Sequence, residues 1–479
     1  MKRLLPLLML LLLPLACNKP GVEDTSESSS GEMSSTYYVN LFAYNYMRAF
    51  YLWADEITSE LSSWTYGDDP VKKVADCRYR NENKELVDKW TSLMEDYSSF
   101  ESSVTGNGKT FGFDFYLTAT GDHVRMVILY VYAGSPAQQA GLKRGDEANT
   151  FDGTELTRSN YSAILTEKLY TSPGTLQMGL LDGRTATMTA VQMYSNPVNV
   201  ARTLEVGGKT FGYLHFTNFT LDSCEDLVEA FRQFKADGIE ELVVDLRYNT
   251  GGYATTAAVL GSLIAPASVV SSKAVFNKDV YNSNLTPSMS ADAETHFADS
   301  FTLTLSSGKK TLNTLEANPD IQRVWFIVTG QTASASESLI CGLYPYMDVI
   351  LVGTQTYGKF CGGYLFKGED FFDRIAGEKT DIDCAAGKKA TTGWGIYVIA
   401  SRYADCNGVT RSMPSGIPVD IEALDNARDG HELGDPEESM LAAVLSLIRG
   451  EGPTRAASLR TSGPEEVPFH KPGDFVMLW

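Results

Sequence analysis

The sequence predicts a multidomain protein of α/β and β type, in which a helical N-terminal region and a β-rich segment precede an α/β core. The chain has 479 residues, of which 43% are hydrophobic and 41 are glycine, a globular composition at a length for about two to four domains. Apolar residues recur at helical spacing from residue 36 and at strand spacing from about residue 110. After residue 199, strands alternate with helices, a pattern typical of a parallel sheet.

The charge balance excludes one class of partner. The chain carries 40 Lys and Arg against 60 Asp and Glu, a formal net charge of −20. Nucleic-acid binding depends on basic side chains that neutralise phosphates. We therefore expect no nucleic-acid partner.

The first 35 residues are typical of an export signal and a tether. A basic start precedes the apolar run Leu4–Leu15, which is shorter than the roughly 20 residues that cross a bilayer. The run ends at Ala16-Cys17, and a polar stretch follows, so the segment resembles a bacterial lipoprotein signal, although Pro14 stands where a branched apolar residue is usual. The resemblance implies a signal peptide over 1–16, a lipidated Cys17, a flexible tether over 17–35 and a membrane anchored by lipid. An ordinary signal peptide with a chance cysteine is the alternative.

Anchoring of this kind implies a location. The body of the protein would lie in the cell envelope, on the periplasmic face or the cell surface of a Gram-negative-type bacterium. No later run is long and apolar enough to predict a membrane span.

Residues 36–105 are predicted to be helical. One stripe of aromatic and apolar residues begins at Tyr37 and ends at Trp53, and a second group consists of Leu86, Trp90, Leu93 and Met94. The breaker Gly67–Pro70 separates them. The stripe is interpreted as a packed helical face, with an aromatic ligand groove as the alternative, and it could serve a domain core or dimerisation.

Residues 106–195 are predicted to form short strands with tight turns. His123–Val131 is a strand, Phe151-Asp152-Gly153 a hairpin turn, Arg158–Leu169 a helix, and Leu176–Val191 two strands around Asp182-Gly183. Between them, Pro136 suits a first helical turn and Gly141 a helix end.

The string from Gly134 to Asp146 reads G-S-P-A-Q-Q-A-G-L-K-R-G-D, and with the surrounding strands it resembles a PDZ domain. Ala148 departs from the large aliphatic residue that is more usual in that family. The resemblance implies a groove that takes an extended peptide as an added strand and whose backbone amides bind a terminal carboxylate. The candidate mouth of that groove is Phe111-Gly112-Phe113.

Residues 200–448 are predicted to form the α/β core. The predicted strands are Phe211–Phe216, Glu241–Leu246, Val324–Val328 and Val349–Val352, and the predicted helices are Leu221–Ala236 and one that starts near Ser334. The stretch Val269–Pro319 is predicted to be an irregular insertion with some β-structure. Residues 449–479 are predicted to be a loose tail, of which only Phe475–Trp479 is apolar enough to pack.

Six cysteines remain after Cys17, an even number in an oxidising compartment. No two have the C-x-x-C spacing of a zinc or redox site. One or two disulfides are possible, and the sequence does not pair them.

The first string with chemical interest is Val244-Asp-Leu-Arg-Tyr-Asn-Thr-Gly251-Gly252, a strand that enters a glycine turn. Glycines at a strand end allow backbone N–H groups to point into a cleft, as an oxyanion hole requires. A simple tight turn from strand to helix is the alternative, and the string alone does not separate the two.

The second string is Thr329-Gly-Gln-Thr-Ala-Ser334-Ala-Ser-Glu337-Ser, where a strand meets a helix start. Ser334 and Glu337 have the spacing of a capping box, which would explain the serine without catalysis. A hydroxyl at a helix start is also well placed to be a nucleophile. The five histidines lie in no motif that couples one of them to this serine, and no G-x-S-x-G elbow surrounds it.

A lysine can replace histidine as the base if its surroundings lower its pKa from about 10.4. Lys359 follows the strand Val349–Val352 and the turn Gly353–Gly358. One helix and one strand separate it from Ser334, so both side chains are expected at one edge of the sheet. A surface lysine is the alternative.

The PDZ-like segment, D-L-R-x-N-x-G-G, T-A-S-A-S-E and T-Y-G-K occur in this order, and together they resemble the C-terminal processing peptidases, also called tail-specific proteases, over residues 36–448. The resemblance implies that Ser334 is the nucleophile, Lys359 the general base and Glu337 an acidic residue near this pair. It also implies an oxyanion hole formed by the amides of Ala335 and of Gly251 or Gly252. A family glutamine four residues after the lysine is here Gly363.

The function that the resemblance implies is a serine endopeptidase that captures exposed protein C-termini and needs no cofactor, metal or nucleotide. The sequence has no H-E-x-x-H, and Gly108-Lys109-Thr110 lacks the earlier glycine of a P-loop. Two alternatives remain. One is a catalytically weak or inactive PDZ-containing receptor of the same fold, which Gly363 favours. The other is an esterase that uses the Ser/Lys pair on small molecules.

Overall fold

The computed structural model describes residues 33–289, 293–377, 382–411, 413–451, 465–469, 471 and 477–478. The predicted signal peptide, Cys17 and the tether up to residue 32 lie outside the described residues. Among the helices of the described part, none combines the length and the apolar character that a membrane span requires.

The elements are numbered in chain order. Residues 35–105 form α1 (Ser35–Phe50), α2 (Thr58–Ser62), α3 (Pro70–Asp76), β1 (Ser92–Met94) and α4 (Ser98–Thr105). Residues 107–194 form β2 (Asn107–Thr110), β3 (Phe113–Thr120), β4 (His123–Val131), α5 (Pro136–Gln139), β5 (Glu147–Phe151), β6 (Thr154–Glu155), α6 (Tyr161–Leu165) with a π-helical continuation (Thr166–Thr171), β7 (Thr175–Leu180), β8 (Thr185–Thr189) and β9 (Val191–Tyr194). The remaining elements are β10 (Val198–Val206), β11 (Lys209–Phe216), α7 (Ser223–Asp237), β12 (Glu241–Asp245), β13 (Gly252–Tyr253), α8 (Ala254–Ile264), α9 (Ala267–Ser271), β14 (Val275–Tyr281), α10 (Thr286–Met289), β15 (Glu294–His296), β16 (Ser300–Leu305), β17 (Gly308–Asn313), α11 (Thr314–Ala317), β18 (Arg323–Val328), α12 (Ala335–Leu343), β19 (Asp348–Gly353), β20 (Cys361–Lys367), α13 (Gly368–Ile375), α14 (Cys384–Ala390), β21 (Gly395–Ala404), β22 (Ile421–Glu422), α15 (Ser439–Ile448), β23 (Glu465–Val467) and β24 (Met477–Leu478).

The N-terminal region is helical at its start and extended near its end. The last residues of the predicted breaker, Gly67–Pro70, begin the helix α3. Asp69 caps it by accepting a hydrogen bond from the Lys72 amide, and Pro70 occupies its first turn. The helix predicted over residues 86–94 is wrong, since residues 92–94 form β1 and pair antiparallel with β21. The apolar spacing there fits an extended chain equally well, and pairing with β21 satisfies its backbone groups.

The aromatic stripe of α1 is a packed helical face, as predicted. Phe42, Tyr46 and Phe50 are buried, and the ring of Tyr46 stacks on Phe366 of β20 with centroids 4.0 Å apart. This helix therefore belongs to the core that covers one face of the sheet containing β20 and β21.

The strands between residues 107 and 194, joined by β23, form a sheet with the order β23-β3-β4-β5-β7-β8, here called the N-terminal sheet. The predicted strand His123–Val131 and the turns at 152–153 and 182–183 are confirmed. The helix predicted over 158–169 starts three residues later, at Tyr161, and continues to Thr171. An antiparallel pairing of β2 with β9 brings the two ends of this segment together.

The α/β core contains a sheet with the order β10-β11-β12-β18-β19-β22, here called the parallel sheet because every pairing from β11 to β22 is parallel. Side chains alternate between its faces: Val324 and Phe326 of β18 pack towards α7, α8 and α12, whereas Trp325 packs towards α15. The carboxyl ends of β12, β18 and β19 therefore meet at one edge, and the three strings singled out above follow these ends.

The other core sheet has the order β13-β24-β20-β21-β14-β15, with β1 on β21, and is here called the cleft sheet. The stretch predicted to be an irregular insertion contributes β14 to the interior of this sheet. The loose tail predicted for residues 449–479 also needs correction. Its described residues add β23 to the N-terminal sheet and β24 to the cleft sheet, because exposed strand edges on both sheets accept an additional strand.

The cysteines after Cys17 form no disulfide. All six are free thiols, and Cys77, Cys224, Cys341 and Cys361 are buried. None of the disulfides that the sequence left possible is formed.

Candidate functional site

The loops after β12 and β18 are joined by hydrogen bonds at the carboxyl edge of the parallel sheet. The Thr332 hydroxyl donates to the Leu246 carbonyl at 2.8 Å, and the Ala333 amide donates to the Asn249 carbonyl at 3.1 Å. Asn249 belongs to the D-L-R-x-N string but was not singled out from the sequence. Its side chain anchors the turn by donating to the Phe216 carbonyl and accepting from the Gly251 amide.

Ser334 occupies the N-cap of α12, directly after this junction. Its φ of +61° and ψ of −112° are unusual for a residue with a side chain, and such strain is found at functional sites. The side chain is buried, and within the described part of the chain its Oγ has no hydrogen-bond partner. A buried hydroxyl without a partner is costly, so this one is available for a bound molecule.

Glu337 ties the backbone of Ser334 to that of Lys359. Its carboxylate accepts hydrogen bonds from the Ser334 amide (2.9 Å), the Gly358 amide (2.7 Å), the Lys359 amide (2.8 Å) and the Thr356 hydroxyl (2.6 Å). Burial raises the pKa of Glu337, and these donors oppose the rise. The bond to the Ser334 amide is the one that the predicted capping box requires, and the other three extend it to the loop after β19.

Tyr403 of β21 makes a second link between the same two residues. Its hydroxyl lies 3.0 Å from the Ser334 carbonyl oxygen and 3.1 Å from the Lys359 carbonyl oxygen, and donates to both. The structure thus brings Ser334, Glu337 and Lys359 together, as the sequence predicted.

Lys359 is fully buried, contrary to the alternative of a surface lysine. Its Nζ lies 3.3 Å from the Tyr397 hydroxyl, 5.2 Å from the centroid of the Trp90 ring and 5.4 Å from that of Tyr397. Burial lowers the pKa of Lys359 from 10.5 to about 8, although the charges of Cys361, Asp88 and Glu337 oppose this shift. With a pKa of about 8, Lys359 is neutral in roughly a tenth of the molecules at pH 7, far more than an exposed lysine would be.

The two candidate oxyanion glycines differ in what their amides do. The Gly251 amide donates to Asn249 Oδ1 at 2.9 Å, which leaves the Gly252 amide as the better candidate. Gly252 has a φ of +137°, and a Cβ there would lie 2.5 Å from the Phe219 carbonyl oxygen. Only glycine fits this turn. The Ala335 amide opens α12 directly after Ser334.

Gly363 is also explained by its surroundings. A Cβ at this position would lie 2.3 Å from the Val398 carbonyl oxygen and 3.1 Å from the Tyr397 ring, at a bulge between β20 and β21. No side chain at 363 fits without a shift of the strand. The hydroxyl that approaches Lys359 comes instead from Tyr397 on the neighbouring strand.

Tyr397, Tyr403 and Trp90 were missed in the sequence because they come from strands and loops far along the chain. None lies in a string with a recognisable spacing, and Trp90 was interpreted as part of a helix.

A buried ionic cluster lies beneath the D-L-R turn and joins the N-terminal sheet to the core. Its members are Arg144, Asp245, Arg247, Asp425 and Glu438. The Arg247 guanidinium contacts Asp245 (2.7 Å), Glu438 (2.7 Å) and Asp425 (2.8 Å), and Arg144 contacts Asp425 (2.7 Å). Burial alone would raise the pKa of Asp245, but Arg247 holds it below its usual value.

Phe111, Gly112 and Phe113 lie apart from Ser334, at the start of β3 in the N-terminal sheet. The Phe111 carbonyl accepts from the Ala137 amide, the Gly112 carbonyl accepts from the Tyr132 amide, and Gly112 has a φ of +80°. The Gly112 amide donates to the Thr110 hydroxyl at 3.1 Å. This turn leads into β3, whose far edge carries β23.

A cavity of about 460 Å³ lies between the N-terminal sheet and the loops at the carboxyl edge of the parallel sheet. Tyr116, Tyr248, Gly330, Gln331 and Glu466 are among its lining residues. A cavity of about 590 Å³ beside α7 and the β16–β17 hairpin is lined by none of the residues described above.

The α/β core is similar to a known peptidase family. The profile of peptidase family S41 matches residues 210–423, which include Gly251, Gly252, Ser334, Glu337 and Lys359. A carboxyl-terminal-processing protease of Synechocystis sp. is 24% identical over 290 residues, 60% of this chain and 61% of the relative. Carboxyl-terminal-processing peptidase 2, chloroplastic, of Arabidopsis thaliana is 26% identical over 277 residues, 55% of this chain and 47% of the relative.

The chain therefore spans less than two thirds of the length of these relatives. A solved structure, a candidate S41 protease from Bacteroides fragilis, matches with a TM-score of 0.64 and 22% identity over 86% of this chain and 97% of that one. This likeness shows a shared fold of mixed α/β content with several sheets. Residues 210–423, somewhat less than half of the chain, are thus similar to peptidase family S41.

Proposed function

We propose that the protein is a serine endopeptidase that uses Ser334 as nucleophile and Lys359 as general base. The observation that carries the proposal is that Glu337 accepts hydrogen bonds from the backbone amides of both Ser334 and Lys359. Both side chains are buried, and within the described residues the Ser334 hydroxyl has no hydrogen-bond partner. The lowered pKa of Lys359, about 8, suits a base that works near neutral pH. Glu337 is a positioning residue, since it contacts backbone amides of both partners.

The chemistry follows from these groups. As Ser334 Oγ attacks a peptide carbonyl, its proton passes to Lys359 Nζ, and the oxyanion accepts hydrogen bonds from the amides of Ala335 and Gly252. The Lys359 ammonium then protonates the leaving amine, which breaks the C–N bond and leaves an acyl-enzyme. Lys359, neutral again, takes a proton from water as the water oxygen bonds to the acyl carbon. The bond between that carbon and Ser334 Oγ then breaks, and the Lys359 ammonium returns its proton to Oγ, which releases the acid product and restores both residues.

For substrate capture, we propose that residues 106–195 are a PDZ domain with its peptide groove along β3. The order of strands, the short helix α5 and the position of Phe111-Gly112-Phe113 at the start of β3 support this assignment. The substrates would be proteins or peptides with exposed C-termini. We likewise propose that residues 36–105 are a helical region and 200–448 the catalytic core.

The predicted lipid anchor at Cys17 belongs to the same proposal. It would place the enzyme in the cell envelope, with its substrates among envelope proteins. Labelling of cells with an alkyne fatty acid, with Cys17→Ser as control, would test it, and label retained in the variant would contradict it.

The test of the proposed activity is digestion of an unstructured protein with an apolar C-terminus, with the fragments identified by mass spectrometry. We expect cleavage by the unaltered chain and none by Ser334→Ala. Equal fragments from both proteins would contradict the proposal.

The receptor alternative rested on Gly363. Because a side chain at 363 would collide with the Val398 carbonyl and Tyr397 supplies a hydroxyl near Lys359, this glycine does not argue against catalysis. No observation specifically favours the receptor or the esterase.

Replacement of Tyr397 by phenylalanine is expected to lower kcat/KM by about tenfold and to change kcat more than KM, since the lost hydroxyl orients the Lys359 amine and not the substrate. Steady-state kinetics with a fluorogenic peptide measures this. Tyr46→Phe is the control, because Tyr46 is buried in the same aromatic core and its hydroxyl contacts Arg374. Equal kcat values for the two variants would show that Tyr397 has no positioning role.

A further inference from the structure

Residues 465–467 lie along the outer edge of β3 as an added antiparallel strand, and residues 468, 469 and 471 follow it. Glu465 aligns with Ala119 and Val467 with Leu117, and the segment then runs on towards Asp114. The strip of the N-terminal sheet between β3 and the helix that spans residues 161–171 is here called the groove. The segment therefore lies in the groove in the orientation of an added peptide strand, with its later residues nearer to Phe111-Gly112-Phe113.

Apolar contacts hold the middle of this segment. Val467 is 6% exposed and belongs to the core of the N-terminal sheet. The ring of Phe469 lies between those of Phe115 (5.9 Å between centroids) and Tyr170 (6.0 Å). The Tyr161 hydroxyl donates to the Pro468 carbonyl at 3.1 Å. The groove thus takes an aliphatic residue and, two positions later, an aromatic one.

Charged contacts hold both ends of the same segment. Glu465 pairs with Arg158, which precedes α6. Lys471 pairs with Asp114 at the start of β3, and its ammonium lies 5.0 Å from the Phe115 ring centroid. Side chains at both ends of the groove are therefore complementary in charge to the chain's own segment.

Residues 477–478 lie beside the turn that contains Gly252. Met477 aligns with Gly252 and Leu478 with Tyr253 in a parallel pairing, and Leu478 also aligns with Gly363 of β20. β24 therefore pairs with the short strand β13, which contains Gly252, the residue whose amide is the candidate oxyanion donor. Ser334 and Lys359 are both fully buried.

From these contacts we propose that the tail is an intrasteric ligand: its residues 465–469 and 471 occupy the groove, its residues 477–478 pair with β13 beside Gly252, and both parts must leave before a substrate binds. The predicted effect on catalysis rests on the proposed peptidase function. Occupancy of the groove by residues of the same chain does not, and it can be measured by peptide binding alone. The groove is selective for an extended segment that presents an aliphatic residue, a proline and an aromatic residue, with an acidic residue before them and a basic one after.

The test measures binding of a fluorescein-labelled synthetic peptide, Glu-Glu-Val-Pro-Phe-His-Lys, by fluorescence anisotropy. All proteins carry Ser334→Ala, so the readout does not depend on hydrolysis. We expect Val467→Asp, which places a charge in the apolar part of the groove, to release the segment and to tighten the apparent Kd of the peptide at least about tenfold. Val409→Asp is the matched control, since Val409 is 60% exposed elsewhere on the surface, and it should bind like the parent. Equal affinity of the parent and Val467→Asp would overturn the inference.

A second measurement covers the possibility that Val467→Asp misfolds. A recognition site for a sequence-specific protease is inserted between residues 455 and 460 of the Ser334→Ala protein, which keeps Val467, and the labelled peptide is added before and after cutting and dialysis. Binding that appears only after the cut supports cis occupancy. Binding of equal strength before the cut contradicts it.

Activity separates this inference from the proposed function. With Ser334 present, release of the segment is expected to raise kcat/KM for a peptide substrate about tenfold or more. If the peptide binds only after release and no protein cleaves any substrate, the proposed function fails and the cis ligand stands. If cleavage occurs but release changes neither binding nor rate, the cis ligand fails and the peptidase stands.

Discussion

Substitution of Lys359 by methionine is expected to reduce kcat/KM for peptide hydrolysis by about 10⁴-fold or more, because the buried amine that we propose as the general base is then lost. Methionine has nearly the length of the lysine stem and suits the apolar surroundings of Trp90 and Tyr397. The fold should therefore remain. Steady-state kinetics together with a denaturant titration measures both effects.

The role of Lys359 as a base also predicts how activity and stability change with pH. A neutral amine is the active form, so kcat/KM of the unaltered protein should rise about tenfold per pH unit up to about pH 8, the pKa of Lys359, and then level off. For stability, the unfolded chain binds more protons than the folded one between about pH 8 and 10.5, so the free energy of unfolding rises with pH across that window. Below about pH 8, Lys359→Met should be at least as stable as the parent, since it removes a buried charge.

Lys89→Met is the control, because Lys89 is exposed and its ammonium lies 5.9 Å from the centroid of the Tyr357 ring, which contacts Trp90. A pH profile of kcat/KM that is flat from pH 6 to 9 in the unaltered protein would contradict the role of Lys359 as base. So would hydrolysis at an undiminished rate in Lys359→Met.

Substitution of Arg247 by methionine is expected to destabilise the protein by about 3–5 kcal/mol, the typical cost of leaving a buried ion pair with one partner removed. Arg247 is fully buried, and its loss leaves Asp245 and Glu438 without their shared guanidinium. Catalysis should fall as well, since the turn that carries Gly252 starts at this residue. The free energy of unfolding is measured by chemical denaturation.

Arg323→Met is the matched control for that measurement. Arg323 pairs with Asp348 at 2.6 Å, but the two side chains are 43% and 51% exposed, and such pairs contribute about 0–1 kcal/mol. If the two variants lose equal stability, the buried ionic cluster does not stabilise the junction of the N-terminal sheet with the core.

The parts of the fold that sequence analysis predicted correctly are those with strong local patterns. The strands of the parallel sheet are continuous apolar runs, and the helix after Ser334 begins with a capping-box spacing, so their ends could be placed within a few residues. Because parallel strands end at a common edge, Ser334 and Lys359 could be expected to meet there.

What the sequence did not predict depends on contacts between distant segments. The polar residues around Trp90 and Leu93 have no strong strand pattern, and their extended form comes from pairing with β21. Tyr397 and Tyr403 lie near Lys359 because β21, which carries both, pairs with β20 in the cleft sheet. Glu337 also accepts hydrogen bonds from the loop after β19. The capping-box spacing predicts only its contact with Ser334 and gives no indication of this second contact.

On the proposal that β23 is a ligand held in cis, the strand that it adds to β3 would also set the substrate concentration at which cleavage begins. A ligand on the same chain as its site has an effective concentration on the order of millimolar for a short connection. A free C-terminus of similar affinity would displace β23 only at a concentration near this effective concentration. At lower concentrations β23 would stay bound to β3. The protein would then respond to a threshold, sparing isolated chain ends and cutting where many accumulate at one surface.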